Sequence, residues 1–354
     1  MTRTILIMAG GTGGHIFPAL AVAGELKARG WRIVWLGSRA GMEATIVPRH
    51  GYDIEWIRFA GLRGKGIVRM AVLPLNLLIA FWQSARVIFR VRPDVVLGMG
   101  GYVTFPGGMM AVALFRPLVI HEQNAIAGLA NRVLASVADR VLVAFPSALR
   151  KAVWTGNPVR TEIANIAQPA QRLAHRKGPL RLLIVGGSLG AKVLNEAVPQ
   201  AVALIAPDLR PQITHQAGRQ NLASLEAQYR DRAIDAQLVE FIEDMAAAYE
   251  AADLVVCRAG ATTIAELAAV GAASILIPFP HAVDDHQTAN ARFLADQGAA
   301  LLLPQPELTP RALADLLLDL TRERVLEMAR KARALGKPDA ATAVADICMA
   351  AAAA

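Results

Sequence analysis

The chain has 354 residues, 54% of them hydrophobic and 19% charged, a length of about two domains and a composition that excludes a disordered polymer. The mean hydropathy of +0.37 raises the question of a membrane protein. The charge-free stretch Met70–Ala85 is too short for a span and contains Pro74, while Val95–Phe115 is broken by Gly98, Gly100, Gly101, Pro106, Gly107 and Gly108, so neither reads as one spanning helix. The N-terminal apolar run Ile5–Ala9 is too short for a signal-peptide core. Cys257 and Cys348 make neither a disulfide framework nor a metal-knuckle spacing, so a reducing, cytoplasmic compartment is expected.

In chain order, Thr4–Ala9 reads as a buried strand, followed by the turn Gly10–His15, a helix from Phe17 to Arg29 and a second strand over Arg32–Leu36. Continuous apolar strands alternating with helices indicate a parallel sheet covered on both faces. The pattern continues with a strand from Asp94, a glycine loop, a helix near Gly108–Phe115, the strand Leu118–His121, a helix near Gly128–Ala138 and the strand Arg140–Ala144. At Leu180–Val185 it restarts: an apolar strand, the turn Gly186–Gly190, and a helical stretch Ala191–Ile205 that Pro199 should kink or divide. Gly156–Arg160 reads as a linker between the halves. Leu254–Cys257, the turn Arg258–Ala261, a helix Thr262–Val270, the strand Ser274–Ile277 and an Ala-rich helix after Pro338 complete the chain. Two strand–glycine–helix openings predict an α/β protein of two Rossmann-like domains.

The net charge of +8 is unevenly placed: residues 1–157 carry 18 Lys+Arg against 7 Asp+Glu, and residues 158–354 carry 19 against 22. A basic half attracts nucleic acid, an anionic substrate or an anionic membrane. Within it, Ile67–Phe89 mixes large apolar side chains with flanking arginines, which suits either a core helix or a lipid-docking surface.

Both glycine turns enter helices and so present backbone N–H groups and a positive dipole end to a phosphate. Neither is a dinucleotide or Walker motif: Ile16 stands where a third glycine belongs, Gly37-Ser38 replaces the ribose acid, and no Gly-Lys-Ser/Thr follows. His15, just after the first turn, is either a helix-start residue or a neutral imidazole able to take a proton from a hydroxyl. His121-Glu122-Gln123-Asn124 ends an apolar strand, where ligands bind in open sheets, although a hydrogen-bonded loop explains it equally. Arg160 has the fork of donors to clamp a phosphate. Glu266 suits either a helix dipole or the two hydroxyls of a ribose. Gln287 and Asn290 carry amides able to bond sugar hydroxyls. His281, Asp284, Asp285 and His286 crowd one loop without distant partners, and this favours a solvated loop over a metal site.

Seven segments, Gly10–Pro18 (GGTGGHIFP), Gly61–Gly66 (GLRGKG), Val95–Tyr102 (VVLGMGGY), His121–Asn124 (HEQN), Gly156–Arg160 (GNPVR), Val185–Gly190 (VGGSLG) and Cys257–Glu266, resemble the MurG family of bacterial N-acetylglucosaminyltransferases over nearly the whole chain and in the same order. The resemblance implies the GT-B fold, two doubly wound domains facing each other across a cleft. It implies residues 1–157 as an acceptor and membrane-docking domain, with a C-terminal helix 338–354 packing back on it, and residues 158–337 as the UDP-sugar donor domain. The implied reaction is inverting transfer of N-acetylglucosamine from UDP-N-acetylglucosamine to the C4 hydroxyl of N-acetylmuramic acid in undecaprenyl-linked lipid I. The product is lipid II for peptidoglycan, made by a peripheral protein on the cytoplasmic face of the inner membrane. No metal, cofactor or nucleic acid enters the expected chemistry.

Position by position, the implied donor site is Thr12, Gly13, Gly14, Asn124, Arg160, Ser188, Ile242, Ala261, Thr262, Thr263, Ile264, Ala265, Glu266 and Gln287, with Ile242 meeting uracil through its backbone and Glu266 the ribose. His15 is the first choice of general base and Glu122 the reserve. A polyprenyl acceptor also turns Ile67–Phe89 from a core helix into an expected docking surface for anionic lipid. Two rivals stand beside this reading: another GT-B enzyme acting on UDP-N-acetylglucosamine (a 2-epimerase or a soluble-acceptor transferase), and a non-catalytic membrane-surface binding protein.

Overall fold

The computed structural model describes residues 2–59, 72–146, 148–187 and 190–353. The chain divides into two compact units, Met1–Arg160 with Pro338–Ala354, and Thr161–Lys337.

The first unit holds seven parallel strands, β1 (Thr4–Ala9), β2 (Arg32–Gly37), β3 (Asp53–Trp56), β4 (Val95–Gly100), β5 (Leu118–Glu122), β6 (Arg140–Val143) and β7 (Val153–Trp154), in the order β3-β2-β1-β4-β5-β6-β7. All six residues of β1 are buried, because both faces of the sheet are covered. Ile5, Ile7 and Ala9 pack one face with Trp35, Leu97 and the C-terminal segment's Val344 and Cys348. Leu6 and Met8 pack the other with Leu36, Val87, Ile88 and Ile120. This period-two division is the sheet's own geometry.

The second unit repeats the scheme with β8 (Arg181–Val185), β9 (Gln212–Gln216), β10 (Gln237–Val239), β11 (Leu254–Cys257), β12 (Ala273–Leu276) and β13 (Ala300–Leu302), all parallel, in the order β10-β9-β8-β11-β12-β13. Its core is formed by Leu182, Ile184, Leu194, Val198, Ile213, Tyr229, Leu254 and Val256, among others.

In each sheet the strand order reverses at the first strand: β1 lies between β2 and β4, and β8 between β9 and β11. The connections leave the carboxyl ends of the neighbouring strands in opposite directions there, which opens the crevice where ligands bind in open α/β sheets. Both glycine turns leave these positions.

Several boundaries differ from the sequence expectation for physical reasons. The first helix runs Gly13–Ala28 rather than from Phe17, so the last glycines of the turn form its opening turn, and Pro18 lies inside it. Pro199 likewise neither ends nor divides Lys192–Ala203. It is buried with Ala197, Val198, Ala201 and Val202, and this packing offsets the single backbone hydrogen bond that proline removes. Gly156–Val159 is buried throughout and belongs to the first unit, which ends only at Arg160, so this stretch is packed chain and not a solvated linker. Cys257 and Cys348 are free, buried thiols, each pushed up to about 12 chiefly by burial. Among the described residues no helix is long and apolar enough to cross a membrane. The GLRGKG segment Gly61–Gly66 and the basic residues Arg63, Lys65 and Arg69 lie outside the described residues.

Candidate active site

At the switch point of the first unit, the turn after β1 is built by residues far away in sequence. Gly10 N–H donates to the Gly100 carbonyl (3.2 Å) and Gly11 N–H to Glu43 Oε2 (2.9 Å). Glu43 is buried, and its other oxygen accepts from Ser38 N–H at 2.9 Å, tying the ends of β1 and β2 together. The first two N–H groups of the turn are therefore occupied by the protein. The donors that could face an anion are the Gly13 and Gly14 N–H groups at the opening of the Gly13–Ala28 helix, which precede its first internal bonds (His15 and Ile16 N–H to the Thr12 carbonyl, 3.2 and 3.3 Å), and its first turn carries no acid. Thr12 and Gly14 are exposed there and Gly13 half-exposed.

His15 is half-buried, and its ring rests on the backbone of β4's end. A Cβ on Gly100 would fall 2.5 Å from His15 Nδ1, and Gly100 has φ +101°, so only glycine admits the imidazole here. Gly101 is equally constrained, with φ +89° and a would-be Cβ 2.3 Å from the Gly10 carbonyl oxygen.

The end of β5 completes the site. His15 Nδ1 lies 2.9 Å from Gln123 Oε1; Gln123 Nε2 lies 3.2 Å from His121 Nδ1 and donates to the His121 carbonyl at 3.2 Å; His121 Nε2 lies 2.9 Å from the Gly156 carbonyl. His121 and Gln123 are buried, and burial holds the His121 imidazole down at about 4, so it is neutral at physiological pH.

Glu122 is 2% exposed. One oxygen accepts from Asn124 N–H (2.9 Å) and Asn124 Nδ2 (3.4 Å), the other from Gly128 N–H (3.1 Å) and Asn131 Nδ2 (2.9 Å). This geometry makes Glu122 the organiser of the loop that carries Asn124, with both oxygens engaged. Arg160 is the last residue of the first unit and half-buried.

In the second unit, the turn after β8 and the start of the helix Ala261–Val270 after β11 open into one cavity of about 710 Å³, lined by Gly186, Gly187, Gly190, Gly260, Thr263 and Gln287, among others. Two helix N-termini, at Lys192 and Ala261, converge on it, and neither carries an acid in its first turn. Backbone donors converging in this way suit an anion. Gly190, at φ +77°, approaches the Ala217 carbonyl so closely that a Cβ would stand 2.2 Å from its oxygen.

Side chains on the same helix divide by depth. Thr262, Thr263 and Ala265 are partly exposed, Ala261 is nearly covered, and Ile264 is fully buried, so Ile264 can offer a ligand only its backbone. Glu266 is 7% exposed and accepts from the Tyr249 hydroxyl at 3.1 Å, a contact absent from the sequence expectation. Gln287 Oε1 accepts from Phe279 N–H (2.9 Å) and Ala259 N–H (3.3 Å), bracing the turn and leaving its amide nitrogen as the group able to meet a ligand.

Asn290 is fully buried and donates to the Ala259 carbonyl at 3.3 Å, so it supports the turn and is not the sugar-binding amide expected of it. Ile242 lines a different cavity, of about 910 Å³, with Phe241 and Asp244. Ser188 lies outside the described residues. Among the described residues no three His, Cys, Asp or Glu side chains are grouped as a metal ion needs. In the loop once weighed as metal-binding, Asp285 accepts from the Thr288 hydroxyl at 2.7 Å.

The helix Leu73–Val91 of the first unit buries Ala80, Ser84, Val87 and Ile88 and turns Leu75, Leu78, Ile79, Trp82 and Phe89 outward. Arg86 stacks over Trp82 at 5.8 Å, and Arg90 pairs with Glu55. An outward apolar face of this size, bordered by arginines, is unlike an ordinary surface helix.

Two nucleotide-type folds in one chain, each with a glycine turn at its switch point, give the protein the two halves of a GT-B fold. The glycosyltransferase family 28 N-terminal domain matches residues 5–143 and the family 28 C-terminal domain residues 181–344. Curated relatives from Dechloromonas aromatica and Aromatoleum aromaticum are 63% and 64% identical, each over 98% of this chain and over 99% and 97% of their own lengths. Both carry the name UDP-N-acetylglucosamine–N-acetylmuramyl-(pentapeptide) pyrophosphoryl-undecaprenol N-acetylglucosamine transferase. The crystal structure of Acinetobacter baumannii MurG superimposes with a TM-score of 0.88 at 42% identity, covering 98% of this chain and 99% of that one. The chain belongs to the MurG family of N-acetylglucosaminyltransferases.

Proposed function

We propose that this protein transfers N-acetylglucosamine from UDP-N-acetylglucosamine to the C4 hydroxyl of N-acetylmuramic acid in undecaprenyl-linked lipid I, giving lipid II for peptidoglycan synthesis. The observation that carries this is identity above 60% over essentially the full length to relatives named for that transfer. It also sets aside a 2-epimerase, a soluble-acceptor transferase or a non-catalytic membrane binder, for none of which a specific observation speaks.

The acceptor hydroxyl attacks C1 of the α-linked sugar, the bond to UDP breaks, and a β-1,4 bond forms with inversion. A hydroxyl is a poor nucleophile until a base takes its proton, and in this reading His15 is that base. Glu122 is poorly suited to the task, since four donors already engage its oxygens. Charge growing on the departing UDP is met by preorganised backbone N–H groups, those of the second glycine turn and the Ala261 helix start, assisted by Arg160. Glu266 takes the ribose hydroxyls, and Thr12, Gly13, Gly14, Asn124, Ser188, Ile242, the Ala261–Ala265 run and Gln287 complete the donor set. The first unit serves the acceptor, and the second carries most of the donor set.

In the same reading the protein is peripheral at the cytoplasmic face of the inner membrane. The helix Leu73–Val91 lays its apolar face into anionic lipid, with arginines drawn to the headgroups.

Purified protein mixed with UDP-N-acetylglucosamine and a water-soluble lipid I analogue should release UDP and form the β-1,4 disaccharide, with and without EDTA. No UDP release from folded protein refutes the transferase reading. Loss of release in EDTA refutes its metal-free form.

A further inference from the structure

The His15–Gln123–His121 chain carries information beyond the choice of base. A neutral imidazole exists as two tautomers, and only a bare ring nitrogen can accept a proton. Which nitrogen of His15 is bare is decided two side chains further along these contacts, at His121.

The far end of the chain is fixed by groups that have no choice. The Gly156 carbonyl can only accept, so His121 Nε2 must carry its proton. His121 is fully buried and neutral, which leaves Nδ1 bare and in need of a donor. The group 3.2 Å away is the Gln123 amide, and the same amide end lies 3.2 Å from the His121 carbonyl, another obligate acceptor. Two acceptors therefore require the NH₂ of Gln123 at this end, which fixes its orientation independently of how its atoms are labelled. Its oxygen then faces His15 at 2.9 Å and can only accept. The proton of His15 belongs on Nδ1.

We propose that Gln123, held by His121 and the Gly156 carbonyl, is a positioning residue that keeps His15 protonated on Nδ1 and its Nε2 lone pair bare. His15 Nε2 makes no hydrogen bond among the described residues, and the Nδ1 edge of the ring packs close to the Gly100 backbone beside its contact with Gln123. Gln123 is 1% exposed, so water does not substitute for it. The arrangement matches the third member of a hydrolytic triad in logic, with a neutral amide in place of a carboxylate. A neutral orienter fixes the tautomer without holding the imidazolium, so the proton taken up in one turnover is readily released before the next.

This rests on His15 being the base, and the test separates the two claims. Nitrogen-15 correlation spectra of His15 report the tautomer without reference to turnover. Wild type should show Nδ1 protonated and Nε2 bare. Gln123→Met, of similar length but without donor or acceptor, should lose that preference and lower kcat by about five- to tenfold, the bias one net hydrogen bond supplies, with the donor KM changed less than about twofold. Gln123→Glu keeps an acceptor on Nδ1 but adds charge, so the tautomer should persist while the acid limb of the kcat profile moves to higher pH. An unchanged Nδ1–H signature in Gln123→Met overturns the proposal. If that variant does not fold, an unmoved acid limb in Gln123→Glu overturns it instead. His15→Ala that keeps full kcat would remove the base assignment and leave the tautomer result standing on its own.

Discussion

Three buried carboxylates, Glu43, Glu122 and Glu266, have separate partners, and their environments tell them apart. Glu43 is spent on the backbone of the first turn, Glu122 on the loop that presents Asn124, and Glu266 shares a hydrogen bond with Tyr249. Replacing Glu122 by Gln turns one of its acceptors into a donor facing Asn124 N–H or the Gly128 and Asn131 donors. The variant should lose roughly 2–3 kcal/mol of stability, read as a lower midpoint in urea with the slope unchanged. A variant that unfolds like wild type yet turns over poorly would point to direct chemistry by Glu122.

Two buried histidines make the stability of the protein depend on pH. His215 is buried between the Tyr229 hydroxyl (3.0 Å) and Asn195 Oδ1 (3.1 Å), and burial lowers its pKa from the usual 6.5 to about 3. The unfolded chain binds a proton near pH 6.5 that the folded protein refuses until about pH 3, so the contribution is complete above 6.5 and drains away as pH falls toward 3. His121 adds the same trend with its folded value of about 4. The urea midpoint should fall between pH 7 and pH 5, and His215→Asn should flatten that fall. Equal slopes in the two proteins would contradict the account.

At the scale of elements, the helix Leu73–Val91 has two apolar faces with different uses. The inner one joins the core through Val87 and Ile88. The outer one is bordered by arginines, and in the docking reading it works only at a lipid surface. Leu78→Glu with Trp82→Glu should weaken binding to anionic vesicles by more than about tenfold, since each side chain contributes about 1.5–3 kcal/mol when buried. Turnover of a water-soluble acceptor should be unchanged. Vesicle binding equal to wild type would assign the patch elsewhere.

Elements differ in how legible they are. The central strands were readable because a strand buried on both faces is a continuous apolar run bounded by glycine. The outer strands β3, β7 and β10 are short and partly exposed, and nothing in Asp53–Trp56 or Gln237–Val239 distinguishes them from loop. Local sequence starts the first helix at Phe17 and not at Gly13, because glycine and proline both argue against helix there, while the folded chain carries the helix through them.

At the scale of the molecule, the C-terminal helix Ala340–Ala351 is part of the first unit although the whole second unit precedes it. Val344, Ala345 and Cys348 are fully buried against the sheet's first face, and Arg29 pairs with Asp346. Val344→Asp places an unpaired charge in that core and should destabilise the first unit selectively. Hydrogen exchange should show faster opening at β1, β2 and β4, with the second unit unaffected. Uniform loosening of both units would mean they unfold as one.

The α/β class, the two repeats, the glycine turns and the place of His15 can be read along the chain, because they depend on local spacing and residue chemistry. Which groups complete the site is visible only in the folded chain. Glu43 reaches a turn 32 residues earlier and Gln123 a histidine 108 residues earlier. Such contacts leave no periodic trace along the chain, since parallel strands become neighbours only after each crossover helix has folded back, and it is that order of strands that brings the ends of β1, β4 and β5 together.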